Sequence, residues 1–141
     1  MVITREADYA VRLMVGLAQR EQGTVVSARA LADEAGVPYE LARTILGNLA
    51  DAGILESRRG RSGGFMLARR PADIRLSDVL AVAGENLQLN ICVADPENCG
   101  RSGVCPVHPI WTEASSVLRD FLGSQTLAGI VRSEEPVGAP C

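Results

Sequence analysis

Ile54-Leu55-Glu56-Ser57-Arg58-Arg59-Gly60-Arg61-Ser62-Gly63-Gly64-Phe65-Met66-Leu67 is the stretch whose reading decides the fold. Its ends, 54–57 and 65–67, read as strands, and the segment between them is a basic, glycine-rich turn. Together they predict a β-hairpin with an arginine tip. Such a tip has a physical logic. Glycine lets one backbone approach another polymer closely, and arginine offers a planar fork to phosphate or a charge to a narrow minor groove.

Upstream, the periodicity predicts helices. Ser27 caps a helix over 28–35, Gly36 supplies a left-handed C-terminal residue, and Pro38 sits near the first position of a third helix over 38–52. Leu41, Ile45, Leu46 and Leu49 are its expected inner face, and Gly53 ends it. An earlier helix over 4–20 is capped by Thr4, carries Glu6 and Asp8 in its first turn, and turns Ala10, Leu13, Met14, Leu17 and Ala18 inward. The connector 21–26 is broken by Gly23. A short helix, a glycine turn and a longer helix form a helix-turn-helix pattern, which alone occurs in many all-α proteins. A hairpin placed directly after it is a wing, and the combination points to double-stranded DNA. Tyr39, Glu40, Arg43, Thr44 and Asn48 of the recognition helix are the candidate base and phosphate contacts; Arg59, Arg61, Ser62 and Gly63 are those of the wing.

Downstream, Ser77 is expected to cap a short helix over 78–83. Residues 84–106 are interrupted by Gly84, Pro96, Gly100, Gly103 and Pro106 and read as a long loop, of the kind that is usually functional. An apolar-periodic helix follows over 108–122, carrying Ile110, Trp111, Ala114, Val117, Leu118, Phe121 and Leu122. Thr126 caps a last short helix through Val131, and the polar tail 133–141 is expected to be disordered. The expected fold is therefore mainly α with a small β-hairpin. Residues 1–75 form a winged helix-turn-helix, and 76–132 hold the loop and a long C-terminal helix.

Three of the four cysteines fall in that loop. Cys92, Cys99 and Cys105 are separated by six and five residues, and His108 lies three past Cys105; Cys141 stands alone in the tail. Thiolates with a nitrogen ligand suit an iron–sulfur cluster. They also suit structural zinc, although zinc sites usually contain a closer cysteine pair. Two thiols alone would suffice for a thiol–disulfide switch. His108, the only histidine, is a ligand candidate that also stands where it can serve the start of the long helix.

Composition sets the frame. A chain of 141 residues is one domain by length, and 47% hydrophobic content with only five aromatics predicts an aliphatic core. No stretch approaches the ~18 apolar residues of a membrane span. The N-terminus lacks a basic region followed by an apolar one, so a cytoplasmic location is expected, where clustered cysteines mean metal or redox chemistry more often than disulfides. The net charge of −3 suits a DNA-binding protein only because it is unevenly spread. Residues 1–75 hold 11 arginines against nine acids, and 76–141 hold three against eight. An enzyme is not expected, since one histidine and no nucleophile–base motif offer little for catalysis. A winged-helix adaptor or cluster carrier that binds proteins instead of DNA is a third class, separable by the salt dependence of DNA binding.

As a set, several features resemble the iron–sulfur winged-helix transcription regulators of the IscR, NsrR and RirA type. They are Thr4 with Asp8-Tyr9-Ala10, Ala35-Gly36-Val37, Leu49 with Gly53-Ile54-Leu55, Arg59-Gly60 with Gly63-Gly64, the loop's Cys92, Cys99, Cys105, His108 and Trp111, and Thr126-Leu127. The resemblance spans residues 1–132. It implies a homodimer joined through the long C-terminal helix, with one cluster per subunit near that interface. It also implies operator affinity, in many members repressive, controlled by a cluster that senses cluster supply, redox state, iron or nitric oxide. Cys105, His108 and Trp111 look IscR-like, implying a [2Fe–2S] cluster with His108 as fourth ligand, although Cys92 and Cys99 stand one residue further apart than in that type. Asp8 and the wing tip look NsrR-like, implying a [4Fe–4S] cluster reached by that aspartate from the partner subunit. Imidazole is the more usual partner of iron in a mixed cluster. His108 and [2Fe–2S] are therefore favoured, with Asp8 as the alternative. A regulator with a thiol or zinc sensor and no cluster is the second reading of the same residues.

Overall fold

The computed structural model describes residues 2–133. Nearly all of the tail 133–141, including Cys141, lies outside the described residues. Helix α1 (Arg5–Ala18) begins where Thr4 accepts the Ala7 N–H on its hydroxyl at 3.2 Å, and it buries Ala7, Ala10, Leu13, Met14, Leu17 and Ala18. Helix α2 (Ala28–Ala35) is capped by Ser27, which accepts the Ala30 N–H at 3.1 Å, and it stops at Gly36, whose φ of 65° is left-handed. Helix α3 (Tyr39–Asp51) follows after Pro38.

The inner face of α3 differs from the expected one. Ala42, Ile45, Leu46 and Leu49 point inward, while Leu41 is 47% exposed. The buried set keeps the i, i+3, i+4, i+7 spacing of one helical face, and Leu41 falls one residue outside it.

Strands β1 (Leu55–Arg58) and β2 (Gly64–Leu67) pair antiparallel, with Leu55 opposite Leu67 and Arg58 opposite Gly64. The hairpin is also anchored at its root. Val26 and Phe65 exchange both backbone hydrogen bonds, at 2.9 and 2.8 Å, tying the wing to the residue just before the cap of α2. A Cβ at Gly64 would lie 2.1 Å from the Val26 carbonyl oxygen, so this junction has room only for glycine.

A 3₁₀ turn (Pro71–Asp73) leads into α4 (Leu76–Val82). This helix starts two residues earlier than expected. Its N-terminal bond uses Asp78 instead of Ser77: the Asp78 carboxylate accepts the Arg75 N–H at 3.1 Å. The loop 84–106 is more structured than its glycines and prolines implied, since it contains α5 (Ile91–Ala94) and a 3₁₀ turn (Pro96–Asn98). Helix α6 (His108–Ser124) and α7 (Leu127–Arg132) are the last elements among the described residues, the latter capped by Thr126 on the Gly129 N–H at 3.1 Å.

The main core is aliphatic. Leu13, Met14, Leu31, Leu46, Leu49, Ile74, Val79 and Leu127 are fully buried. Val79 and Leu127 belong to the second half of the chain, so α4 and α7 close over α1. A satellite cluster of Ala7, Leu80 and Leu87, packed against Leu122, joins α1 to α4 and α6.

Candidate nucleic-acid interface and cysteine loop

Two regions concentrate chemistry. The first is the face formed by α3 and the wing. Glu40, Arg43, Thr44 and Asn48 are exposed on α3, and the half-buried Tyr39 opens the helix. The Thr44 hydroxyl donates to the Glu40 carbonyl at 3.1 Å, so its oxygen remains available as an acceptor. At the wing, Arg58 lies 3.8 Å from Glu56, whereas Arg59 and Arg61 have no acidic partner among the described residues. The tip is held by a turn in which the Gly63 N–H donates to the Gly60 carbonyl at 3.0 Å, and Gly60 has a φ of 102°. A Cβ at Gly63 would lie 2.3 Å from the Arg58 carbonyl oxygen. The exposed Ser62 and the two arginines are therefore carried on a backbone that only glycine permits at those corners. Not all the basic charge of 54–75 is free: Asp73 holds Arg70 at 2.9 Å and raises its pKa by hydrogen bonding and charge.

Arg29 is a further member of this face, and the one-dimensional pattern missed it. Its guanidinium lies 3.8 Å over the centre of the Tyr39 ring. The two residues stand ten apart on different helices, so no local period links them.

The second region is the cysteine loop. Cys92 lies in α5, Cys99 ends the 3₁₀ turn, and Cys105 precedes α6; all three are half-buried free thiols. The loop has an internal frame. Asp95 accepts both the backbone and the side-chain N–H of Asn98, at 3.4 and 2.6 Å, and the Ser102 hydroxyl donates to the Pro96 carbonyl at 3.0 Å. The Cys105 N–H donates to Arg101, and the Cys105 carbonyl accepts from the His108 N–H at 3.2 Å. His108 opens α6, and its Nδ1 is buried without a hydrogen-bond partner among the described residues.

Three free thiols and one unpartnered imidazole nitrogen within one frame have the donor chemistry of an iron–sulfur or zinc centre. They are not drawn together, however. Among the described residues no three histidine, cysteine or acidic side chains form a metal-holding group. Asp8, on α1, is engaged elsewhere, 2.7 Å from Arg12.

The loop is fastened to the rest of the chain at three points. The Glu85 carboxylate accepts the Thr4 N–H at 2.8 Å, which holds its pKa below the usual carboxylate value. Leu87 is buried in the satellite cluster with a φ of 50°. The Leu89 N–H donates to the buried Ser115 hydroxyl of α6 at 3.1 Å. Helix α6 has two apolar stripes. Leu118 and Leu122 line a groove of about 280 Å³ together with Ile3, Val11, Leu76 and Leu80, with Asp8 also at the groove. Ile110, Val117 and Phe121 face outward, each at least 60% exposed.

No described helix is long and apolar enough to cross a membrane. Comparison with known proteins places the chain among regulators. Residues 3–133 match the Rrf2 family, described as iron-dependent transcriptional regulators. A helix-turn-helix-type transcriptional regulator of Neisseria meningitidis serogroup A is 30% identical over 134 residues, 95% of this chain and 90% of that protein. The IscR regulator of Xenorhabdus nematophila is 27% identical over 96% of this chain and 82% of its own length. The NsrR regulator of Shouchella clausii is 27% identical over 99% and 94%. Among solved structures, T. potens IscR superposes with a TM-score of 0.77 at 24% identity, covering 100% of this chain and 93% of that one. CymR of B. subtilis, titled a global cysteine regulator, superposes with 0.76 at 21% identity, covering 94% and 97%. These relatives are named as regulators and not as enzymes, and the winged-helix fold is theirs. The chain belongs to the Rrf2 family of transcriptional regulators.

Proposed function

We propose that this regulator is a homodimeric repressor whose operator affinity is set by an iron–sulfur cluster held by Cys92, Cys99 and Cys105. The observation that carries the reading is the donor set itself: three free thiols in one framed loop, followed at the start of α6 by a buried imidazole nitrogen that has no partner among the described residues. His108 is the favoured fourth ligand, which fits a [2Fe–2S] cluster; Asp8 of the partner subunit is the alternative and fits [4Fe–4S]. When bound, such a cluster supplies an iron centre responsive to redox state, nitric oxide and iron or cluster supply.

The rest of the mechanism lies in the chain. Helix α3 enters the major groove with Glu40, Arg43, Thr44 and Asn48 toward the bases, and Tyr39 stands at its entrance. Arg59 and Arg61, with Ser62 and Gly63, bring the wing to phosphate and the adjacent minor groove. The outward stripe of α6 pairs with that of a second copy, so two recognition helices meet a roughly palindromic operator. The fastenings at Glu85, Leu87 and Leu89 connect the cysteine loop to α1 and α6, and hence to both DNA face and dimer face.

The likeness to IscR and NsrR relatives supports this reading. A sensor using the same cysteines through reversible oxidation, or through zinc, is the second reading, favoured by the accessibility of three uncrosslinked, half-buried thiols. Titrating an operator duplex, selected from a random pool, with reconstituted and with chelator-stripped protein tests the choice. Different affinities for the two forms are expected; equal affinities would remove the cluster as effector.

A further inference from the structure

We propose that Arg29, held over the Tyr39 ring, is a phosphate-binding residue of the DNA interface. The proposal rests on the DNA-binding reading and adds a site to it.

Arg29 lies in the first turn of α2 and is exposed. Its cationic carbon is 3.8 Å from the Tyr39 ring centre, close stacking for a guanidinium. Stacking occupies the flat face of the group and leaves its rim of N–H donors free. That rim is the part that grips a phosphate in a bidentate fork. Other arginines are spent differently. Arg12 is 2.7 Å from Asp8, Arg20 is paired with Glu34, and Arg70 is 2.9 Å from Asp73. Arg29 has no acidic partner among the described residues, so its charge is available to a ligand.

Position identifies that ligand. Ser27 caps the helix that carries Arg29, and Val26 is bonded to Phe65 at the wing root. Tyr39 opens the recognition helix. Arg29 therefore stands between wing and recognition helix. In a helix-turn-helix unit, the helix before the recognition helix crosses the sugar–phosphate backbone. A stacked, pre-ordered guanidinium there meets a strand phosphate and not a base edge, so it adds affinity without sequence preference. Tyr39 is then a positioning residue that orients Arg29.

The test is binding of wild type, Arg29→Ala, Tyr39→Phe, Tyr39→Leu and Arg59→Ala to the selected duplex and to a scrambled one, across a salt series. Circular dichroism melting confirms that each variant folds. Arg29→Ala is expected to weaken both duplexes by a similar factor, about tenfold, and to lower the salt slope by about one. Tyr39→Phe keeps the ring and should bind more tightly than Tyr39→Leu, with a salt slope nearer to the wild type's. Tyr39→Leu should approach the Arg29→Ala affinity, and a variant combining Arg29→Ala with Tyr39→Leu should lose little more. Wild-type affinity and salt slope in Arg29→Ala, with Arg59→Ala impaired, would overturn the site and leave the DNA-binding reading intact. A wild type without salt-dependent duplex binding would overturn both.

Discussion

Helices α1 and α6 look alike in sequence, each with apolar residues at helical spacing, yet they are used in opposite ways. Helix α1 has 14 residues and buries six of them in the chain's own core. Helix α6 has 17 residues and fully buries only Ser115, while Ile110, Val117 and Phe121 stay open. An amphipathic period shows that a face will be covered, not what covers it. The difference separates a finished half, which folds around α1 and presents the wing, from a half whose exposed stripe the proposed dimer would cover.

That contrast can be broken at several places. The largest expected effect is on assembly. Phe121→Arg puts a charge in the open stripe and should convert a two-chain particle to a single chain in light scattering. An unchanged mass would show that the stripe is not the dimer contact. Next comes the closed half. Leu46→Ala empties a fully buried position and should lower the unfolding free energy by about 2–5 kcal/mol in denaturant melts. A loss under about 1 kcal/mol would mean that the core around α3 is looser than described.

Gly64→Ala sharpens the account of the wing. Its Cβ would meet the Val26 carbonyl at 2.1 Å, so the bridge to Phe65 must shift. Operator affinity should fall, with a stability loss of about 1–3 kcal/mol. Wild-type binding by this variant would show that the anchored root is dispensable.

The smallest expected effect is at the fastening between the halves. Because the Thr4 N–H lowers the Glu85 pKa in the folded chain, the stabilisation is present above the unfolded value, about 4.3, and is lost as pH falls through the folded one. Melting temperatures of wild type and Glu85→Gln should therefore differ near neutrality and converge in acid. A constant gap would show that the bond does not couple to protonation.

Local signals carried most of what was legible in advance. Thr4, Ser27, Gly36 and Thr126 each act within one helical turn, and each performs the expected capping or terminating role. The hairpin was equally readable because its strands and turn are contiguous. Errors arose where neighbours compete or where partners are distant. The fold buries the small Ala42 and leaves the larger Leu41 beside it exposed, and Ser77 stands next to the carboxylate that makes the bond. The four residues of α5 are too few to show a period. Nothing local announces the Val26–Phe65 bridge or the Arg29–Tyr39 stack, which join segments brought together only by folding. At the cysteine loop, spacing nominates the donors but says nothing of their convergence, and among the described residues no three of them form a metal-holding group.

The central claim is that these donors hold a cluster. Iron and sulfide analysis of anaerobically purified and reconstituted protein, read with its ultraviolet–visible spectrum, tests it directly. Matched iron and sulfide are expected: about two of each per chain for the His108 arrangement, or about four for the Asp8 one. A reconstituted protein with no iron, or with zinc in its place, would contradict it and move the sensor to metal-free thiols or to zinc.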